Sequence, residues 1–339
     1  MIEVGVPPTD PGSGAVHHRR AEIGSAGPVP EGSVSGPGAV IQATGIVAAY
    51  GRNVVLDHVD FSIGRGVTGL LGPNGSGKTT LLGHVLGLRP LSAGGLTVLG
   101  LDPMRSGPAV RGVTGYAPEH HFLPDDIRAN DYVRHVAEVH GLPRRDAVAR
   151  ASDAIWWVGL GEERFRQLGT LSTGQRQRVK LAAAIAHDPR LVLLDEPTDG
   201  LDPAQRDAML ELIRRVGSEF EMSVLLSSHL LDEVERTCDS VLMIANGAVV
   251  ASGPISELGG DDGAVIVDLA SPAPGVVERI INAGCAVEVD RQRLIVTPGP
   301  ATHDVTPVVR DAVAAEGEVL RGLRRRRRSL EDVFLGMDR

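Results

Sequence analysis

The sequence is poor in aromatic residues and in cysteine. Phe, Trp and Tyr make up 3% of the 339 residues, which disfavours a protein that binds single-stranded nucleic acid by stacking bases on aromatic rings. The chain has two cysteines, so a disulfide framework is excluded and a cytosolic compartment fits. No apolar stretch approaches the roughly 20 residues that span a bilayer, and the first residues lack the apolar core of a signal peptide. If the protein acts at a membrane, we expect the membrane-spanning part to belong to another chain.

Lysine is scarce as well. Of the 34 lysine and arginine residues, only Lys78 and Lys180 are lysine. Lysine at these two positions either has a role that arginine cannot fill or reflects composition bias. The formal net charge is −9. This disfavours a general nucleic-acid binder, because phosphate backbones favour basic surfaces.

Composition and periodicity divide the chain into four segments. Residues 1–38 are rich in Gly, Pro, Ser and Val without periodicity, which predicts a disordered tail. Residues 39–258 alternate strand and helix patterns, which predicts an α/β domain. Residues 259–263 contain only Gly and Asp and are expected to form a linker. Residues 264–339 predict a small α+β domain whose β-α-β-β-α-β order resembles a split βαβ unit.

Within the larger domain, the apolar patterns predict two kinds of sheet. Ile41–Ala48 and Val54–Ile63 are candidate strands of a peripheral antiparallel sheet. Leu191–Leu194 is apolar throughout, as expected for a parallel strand covered on both faces. Asn246-Gly247 between two apolar runs is a strong hairpin signal. Residues 124–167 are expected to be mostly helical.

A glycine-rich loop follows the apolar run at residues 67–71. Its sequence GPNGSGKT, from Gly72 to Thr79, matches G-x-x-x-x-G-K-[ST]. The glycines let backbone N–H groups turn toward phosphate oxygens without Cβ clashes, and the next helix N-terminus adds a positive dipole. In such a loop Lys78 reaches the β- and γ-phosphates and the Thr79 hydroxyl binds Mg²⁺. A plain glycine-rich turn is the alternative. The predicted nucleotide-binding residues here are Gly72, Asn74, Gly75, Gly77, Lys78, Thr79 and Thr80.

Two acids end the apolar run Leu191–Leu194. Buried strands seldom end in adjacent carboxylates unless something cationic meets them, and ligands bind at the carboxyl ends of parallel strands. We expect Asp195 to hold Mg²⁺ through water and Glu196 to orient or deprotonate an attacking water. The alternative is that both acids cap the following turn. His229 ends another apolar run and could contact the γ-phosphate, with a purely structural histidine as the alternative.

A further motif lies between these two sites. Residues 171–178 read LSTGQRQR, which resembles the LSGGQ signature of ATP-binding cassette (ABC) ATPases, with Thr173 in place of the first glycine. The order of phosphate loop, signature, acidic strand, Gly200-Leu201-Asp202 and Ser228-His229 is the order found in that family. The resemblance covers about residues 40–258.

The resemblance implies a fold and a mechanism. The fold is a P-loop NTPase cassette with a parallel-sheet core, an antiparallel β subdomain and a helical subdomain. Two cassettes pair head to tail, so that the phosphate loop of one faces Ser172 and Gly174 of the other across ATP. Asp202 communicates across this dimer and Tyr50 stacks on adenine. From the residues alone, Ser172 fits a helix N-cap as well as it fits a nucleotide contact. For Tyr50, the alternative to stacking on adenine is a packing residue.

One position departs from the family. Where the family usually has glutamine, this sequence has Glu119. A glutamate can still bind Mg²⁺, but it adds negative charge and cannot donate an amide N–H to a water molecule. The alternative is that Glu119 is a solvated loop acid and the match is displaced by one or two residues.

The C-terminal segment is similar to that of exporter-type members. Residues 329–334 read SLEDVF, an ending typical of the drug-resistance and polysaccharide or lipid export ATPases, whose small C-terminal domain assists pairing or regulation. Arg324–Arg328 is a run of arginines. It is either a solvated charge run or a contact for anionic lipid or an acidic partner.

The sequence therefore predicts an ATP-hydrolysing subunit of an ABC exporter that uses ATP and Mg²⁺. We expect a homo- or heterodimer of ATPase subunits, bound peripherally to separate transmembrane permease chains on the cytoplasmic face of the plasma membrane. The expected coupling surface is Asp125–Gly141, near Glu119. The alternative is a soluble ABC ATPase acting on nucleic acid or ribosomes. Its translation-type members usually carry two cassettes, and the charge of this chain also disfavours it, so no nucleic acid is expected.

Overall fold

The computed structural model describes residues 38–51, 53–119, 123–258, 263–300, 302 and 304–326. Several predicted segments lie wholly or mainly outside these residues. They are the disordered tail 1–38, the linker 259–263, Arg327 and Arg328 of the arginine run, and the 329–334 ending. The proposed domain boundaries accordingly stay predictions.

Strands and helices alternate along the described chain. The strands are β1 (Ile41–Tyr50), β2 (Asn53–Ile63), β3 (Val67–Leu71), β4 (Ala93–Val98), β5 (Thr114–Ala117), β6 (Leu191–Asp195), β7 (Ser223–Ser228), β8 (Ser240–Ala245), β9 (Ala248–Pro254), β10 (Val265–Leu269), β11 (Ala286–Asp290), β12 (Arg293–Thr297) and β13 (Leu320–Arg325). The helices are α1 (Lys78–Val85), α2 (Gly107–Gly112), α3 (Ala129–Val139), α4 (Arg144–Trp157), α5 (Thr173–Ile185), α6 (Pro203–Glu219), α7 (Leu231–Thr237), α8 (Ile255–Leu258), α9 (Pro274–Asn282) and α10 (Thr306–Ala315).

The central sheet has the strand order β5-β6-β7-β3-β8-β9. The first five strands in this order, β5, β6, β7, β3 and β8, pair in parallel. Strand β9 pairs antiparallel with β8 through the predicted hairpin. Its turn residues Asn246 and Gly247 have φ angles of 50° and 79°, as a tight two-residue hairpin turn requires. Because β6, β7 and β3 are neighbours, their carboxyl ends lie side by side at one edge of the sheet.

Two hydrophobic cores cover the two faces of this sheet. On β6, Leu191 and Leu193 belong to one core, whereas Val192 and Leu194 belong to the other. The first core includes the antiparallel sheet β2-β1-β4 and helix α1; the second includes α3, α4, α5 and α6. Side chains of a strand alternate between faces, so a strand buried on both faces is apolar throughout. This confirms the expected parallel core, antiparallel subdomain and helical subdomain.

The C-terminal residues form a sheet and a core of their own. The strand order is β11-β12-β10-β13, with every neighbouring pair antiparallel. With α9 and α10 between strands, this is the predicted split βαβ arrangement. Val267, Ile280, Val296 and Val309 are buried in its core. Within the described residues, no helix is both long and apolar enough to cross a membrane.

Candidate nucleotide-binding site

A cleft of about 470 Å³ opens at the sheet edge where β3, β6 and β7 end. It brings together five separate parts of the predicted site, namely Tyr50, the glycine loop, Glu119, Glu196 and His229. The lining residues are Tyr50, Val55, Asn74, Gly75, Gly77, Lys78, Thr79, Thr80, Glu119, Glu196, Asp199 and His229. Sequence reasoning named all of these except Val55 and Asp199. It also named Gly72, Asp195, Ser172, Gly174 and Asp202, which do not line the cleft.

The glycine loop between β3 and α1 forms the floor of this cleft. A Cβ atom at Gly72 would collide with the backbone oxygen of Ile244, so a side chain is excluded there. Gly77 has a φ of 103°, a conformation that L-residues with side chains rarely adopt, and it directly precedes Lys78 at the start of α1. The loop therefore presents backbone rather than side chains at a helix N-terminus, which is an arrangement suited to phosphate.

Lys78 is the charged residue at the centre of the loop. Its side chain is only 7% exposed, and Nζ donates hydrogen bonds to the backbone oxygens of Gly72 (2.8 Å) and Pro73 (3.4 Å). The same Nζ lies 3.3 Å from Oε1 of Glu196. A compact ammonium fits between these acceptors, whereas the planar guanidinium of arginine is larger and differently shaped.

Asp195, the last residue of β6, is held by the neighbouring strand. Oδ1 of Asp195 accepts a hydrogen bond from Oγ of Ser227 (2.6 Å), and the same Oγ accepts one from the backbone N–H of Glu196 (2.9 Å). Asp195 is 2% exposed, and its Oδ2 has no hydrogen-bond partner among the described residues. Ser227 was not singled out from the sequence; it pairs with Asp195 in the β6–β7 register, one residue before the end of β7.

Glu196 adopts an unusual backbone conformation to enter the cleft. Its φ is 46°, in the left-handed region, which costs a non-glycine residue about 1–3 kcal/mol and is often found at functional sites. Its side chain contacts Lys78 through Oε1 and His229 Nδ1 through Oε2, at 2.9 Å. These contacts direct the carboxylate into the cleft and away from the turn that follows.

Tyr50 lies at the end of β1 on the border of the cleft, with 40% of its surface exposed. Nη1 of Arg89 donates a hydrogen bond to its hydroxyl (2.7 Å), and the guanidinium carbon lies 5.1 Å from the centre of its ring. This cation–π contact and the hydrogen bond hold the ring in one orientation. Its predicted stacking on adenine stays a prediction.

Lys180 anchors the loop that carries Glu119. From α5, its Nζ donates hydrogen bonds to the backbone oxygens of Pro118 (3.1 Å) and Glu119 (2.9 Å). Burial lowers the pKa of the Lys180 ammonium. Glu119 lines the cleft. The two lysines of the chain thus both bind backbone carbonyl oxygens of loops at the cleft.

The signature residues lie apart from the cleft of the same chain. Ser172 caps α5: its Oγ accepts from the N–H of Gln175 (3.3 Å), and Oε1 of Gln175 accepts from the N–H of Ser172 (3.1 Å). Asp202 caps α6 by accepting from the N–H of Gln205 (2.9 Å). A Cβ at Gly174 would collide with the side chain of Gln205. The structure thus shows the helix-capping alternative for Ser172, and its role in a dimer stays a prediction.

The fold and the cleft define a P-loop nucleotide-binding protein. The ABC transporter family profile matches residues 56–199. The linearmycin resistance ATP-binding protein LnrL of Bacillus subtilis (strain 168) is 34% identical over 227 residues, which cover 66% of this chain and 73% of that protein. The daunorubicin resistance ATP-binding protein DrrA3 of Streptomyces coeruleorubidus is 32% identical over 301 residues, covering 87% of this chain and 94% of that protein.

A solved structure of an ATP-binding subunit of an ABC transporter superimposes with a TM-score of 0.58 at 27% identity, covering 65% of this chain and 91% of the other. The chain belongs to the ABC transporter family, as one of its ATP-binding, ATP-hydrolysing members. This confirms the family and the fold class that the sequence predicted.

Proposed function

We propose that this chain is the ATPase subunit that powers an ABC exporter, by pairing with a second ATPase subunit around ATP. The observation that carries the proposal is the contact of Glu196 with both Lys78 and His229 inside one cleft above the glycine loop. These are the groups that phosphoryl transfer to water needs: a cation for the phosphates and a carboxylate beside the attacking water.

The residues have separate roles in this reaction. The glycine loop binds the phosphates through its N–H groups, and the Lys78 ammonium neutralises the β- and γ-phosphates. Glu196 orients the attacking water and accepts its proton, while Nδ1 of His229 fixes the position of Glu196 and the ring contacts the γ-phosphate. Tyr50, oriented by Arg89, offers its ring to the adenine base.

The oxygen ligands in the cleft and next to it fit Mg²⁺. Asp195 Oδ2 is a buried carboxylate oxygen with no hydrogen-bond partner among the described residues, and carboxylate and hydroxyl oxygens are ligands that Mg²⁺ prefers. We assign Thr79, Asp195 and Glu119 to hold the ion together with ATP phosphates. When bound, it would neutralise charge on the phosphate oxygens. No cluster of three acidic, His or Cys side chains in the described part of the chain could hold a metal by itself, which is usual where substrate phosphates complete the site.

Pairing of two subunits would give a function to the predicted site residues at the N-termini of α5 and α6. Ser172 and Asp202 are exposed at the N-termini of α5 and α6. In a head-to-tail pair, the Ser172 hydroxyl and the N–H of Gly174 would reach the γ-phosphate bound by the other subunit, where a helix N-terminus is favourable. ATP then stabilises the closed dimer and hydrolysis weakens it.

Export would take place through separate transmembrane chains. LnrL and DrrA3, of whose lengths this chain covers 73% and 94%, carry drug-resistance names. The proposed contact surface for a permease is Asp125–Gly141, which contains α3. The subunit would then lie on the cytoplasmic face of the plasma membrane.

The exporter proposal is tested with the product of the neighbouring reading frame, which we expect to be a transmembrane chain. Both proteins are co-expressed, the tagged ATPase is purified in detergent, and its hydrolysis rate is measured with and without the membrane chain. We expect a stable complex and a changed hydrolysis rate. An ATPase that never co-purifies with such a chain would contradict the exporter proposal, while leaving its ATPase activity intact.

A further inference from the structure

Glu233 is a buried carboxylate on α7 that none of the proposed catalytic roles uses. It is 3% exposed, and it does not line the cleft. A buried charge is unfavourable unless partners compensate for lost hydration. Its partners therefore indicate what it is there to hold.

Three contacts link Glu233 to three different segments. Oε2 accepts hydrogen bonds from the hydroxyls of Thr198 (2.9 Å) and Ser228 (2.8 Å). Oε1 lies 3.2 Å from Nε of Arg206 on α6, an ion pair without hydrogen-bond alignment. Oγ of Ser228 also accepts from the N–H of Leu230 (3.0 Å), which orders the entry into α7.

Each of these segments contains a residue of the proposed ATPase mechanism. Thr198 lies two residues after Glu196, and Ser228 directly precedes His229. Arg206 lies in the first turn of α6, where its N–H donates to the backbone oxygen of Asp202. One carboxylate thus connects the segments carrying the water-activating acid, the histidine and the residue assigned to the dimer interface.

We propose that Glu233 is a positioning residue for ATP hydrolysis, which holds the end of β7, the segment after β6 and the start of α6 in one arrangement. This inference rests on the ATPase function proposed above. It acts through Glu196, His229 and Asp202, because Glu233 itself does not reach the cleft. Its loss should slow hydrolysis more than it weakens ATP binding, since the glycine loop and Lys78 are not among its contacts.

The principal test is Glu233→Gln in the full chain. Glutamine keeps the size of the side chain but removes its charge and one hydrogen-bond acceptor. We expect kcat to fall about 10- to 100-fold, as small misplacements of catalytic groups produce, while the Kd for ATP changes by less than about 2-fold. Unchanged kcat, or equal losses of binding and turnover, would overturn the proposal.

A matched control separates positioning from general packing of the helices. Arg236 on α7 and Asp207 on α6 form an exposed ion pair at 3.0 Å between the same two helices. Arg236→Gln removes this contact without touching Glu233, and we expect wild-type kcat. A loss equal to that of Glu233→Gln would show that helix packing is responsible and would overturn the proposal.

Further variants keep the test decisive if Glu233→Gln does not fold. Ser228→Ala and Thr198→Val each remove one donor to Oε2, and Arg206→Gln removes the ion pair. Each should lower kcat with ATP binding preserved, and the effects of Arg206→Gln and Glu233→Gln should not add, because both disrupt one network. Wild-type kcat in all three would overturn the proposal. Absence of hydrolysis in the wild-type chain would instead count against the proposed function.

Discussion

Oε2 of Glu196 lies 2.9 Å from Nδ1 of His229, a contact that joins the ends of β6 and β7 across the cleft. The two residues are separated by 33 positions in the sequence. Parallel pairing of β6 with β7 brings them to the same sheet edge. The left-handed backbone at Glu196 then turns the carboxylate toward the histidine. The proposed catalytic pair is thus a product of sheet topology and one strained residue.

The first prediction concerns Glu196→Gln. Glutamine still fits beside Lys78 and His229, but it cannot accept a proton from water. We expect hydrolysis to fall about 100-fold or more while ATP stays bound, so that the variant sediments as a dimer with ATP and as a monomer without it. The surface variant Glu211→Gln on α6 is the control and should behave as wild type. Wild-type turnover in Glu196→Gln would remove the proposed role of this carboxylate.

The second prediction concerns the glutamate that replaces the family's usual glutamine. Glu119→Gln removes a negative charge from the cleft, which weakens attraction for a divalent cation. We expect the Mg²⁺ concentration for half-maximal ATPase activity to rise several-fold. Titrations of Mg²⁺ at saturating ATP measure this. An unchanged requirement together with unchanged turnover would show that position 119 is not a metal ligand.

The third prediction concerns the pair Tyr50 and Arg89. Arg89→Ala removes the hydrogen bond and the cation–π contact that orient the Tyr50 ring. ATP affinity should fall about 3-fold, in line with the strength of an exposed cation–π contact. Tyr50→Ala should lower ATP affinity at least as much. The double variant should lower it no further than Tyr50→Ala alone. Arg105→Ala, at an exposed position, is the control and should leave ATP affinity unchanged. If the affinity losses of Arg89→Ala and Tyr50→Ala add in the double variant, Arg89 does not act through Tyr50.

The fourth prediction concerns the pH dependence of stability. His187 is 6% exposed and stacks on His140 with ring centres 3.8 Å apart. Burial, and secondarily His140, lowers the pKa of His187 from 6.5 to about 3. Between these values the unfolded chain binds a proton that the folded chain does not. The folded state therefore loses stability as the pH falls below 6.5.

His187→Phe tests this. Phenylalanine keeps the stack and does not titrate, so the melting temperature of the variant should fall less than that of the wild type between about pH 7.5 and about pH 5. We expect a difference of about 2–4 °C. His135→Phe, at an exposed histidine, is the control. Its melting temperature should fall as much as that of the wild type. If the melting temperatures of the wild type and His187→Phe fall equally with pH, His187 is not the source of the pH dependence.

Much of the fold was predictable because its signals are local. In strand β6, the apolar run Leu191–Leu194 indicates burial on both faces. The residue types and spacing of the glycine loop indicate phosphate binding. The order of elements after β9 predicted the split βαβ unit. Lysine scarcity drew attention to Lys78 and Lys180, and both bind carbonyl oxygens of loops at the cleft.

The remaining contacts were not predictable, because they join residues far apart in sequence. Ser227 holds Asp195 across 32 positions, Thr198 meets Glu233 across 35, and Arg89 meets Tyr50 across 39. No periodicity or motif marks such pairs. Ser172 is a different case: the sequence left capping and nucleotide contact open, and one chain alone displays only the cap.

The central claim is that ATP lies between the glycine loop of one copy and the Ser172 helix end of another. Two variants test it directly. Lys78→Ala disables the loop, while Ser172→Asp keeps a good helix cap but places a negative charge toward the γ-phosphate. Each variant alone should be inactive. In a mixed dimer, the intact loop of the Ser172→Asp copy would face the intact Ser172 of the Lys78→Ala copy.

The decisive measurement is therefore the ATPase rate of the two variants mixed in equal amounts. The account predicts that the mixture hydrolyses ATP although neither variant does so by itself. A mixture as inactive as its separate components, with both variants folded, would contradict it.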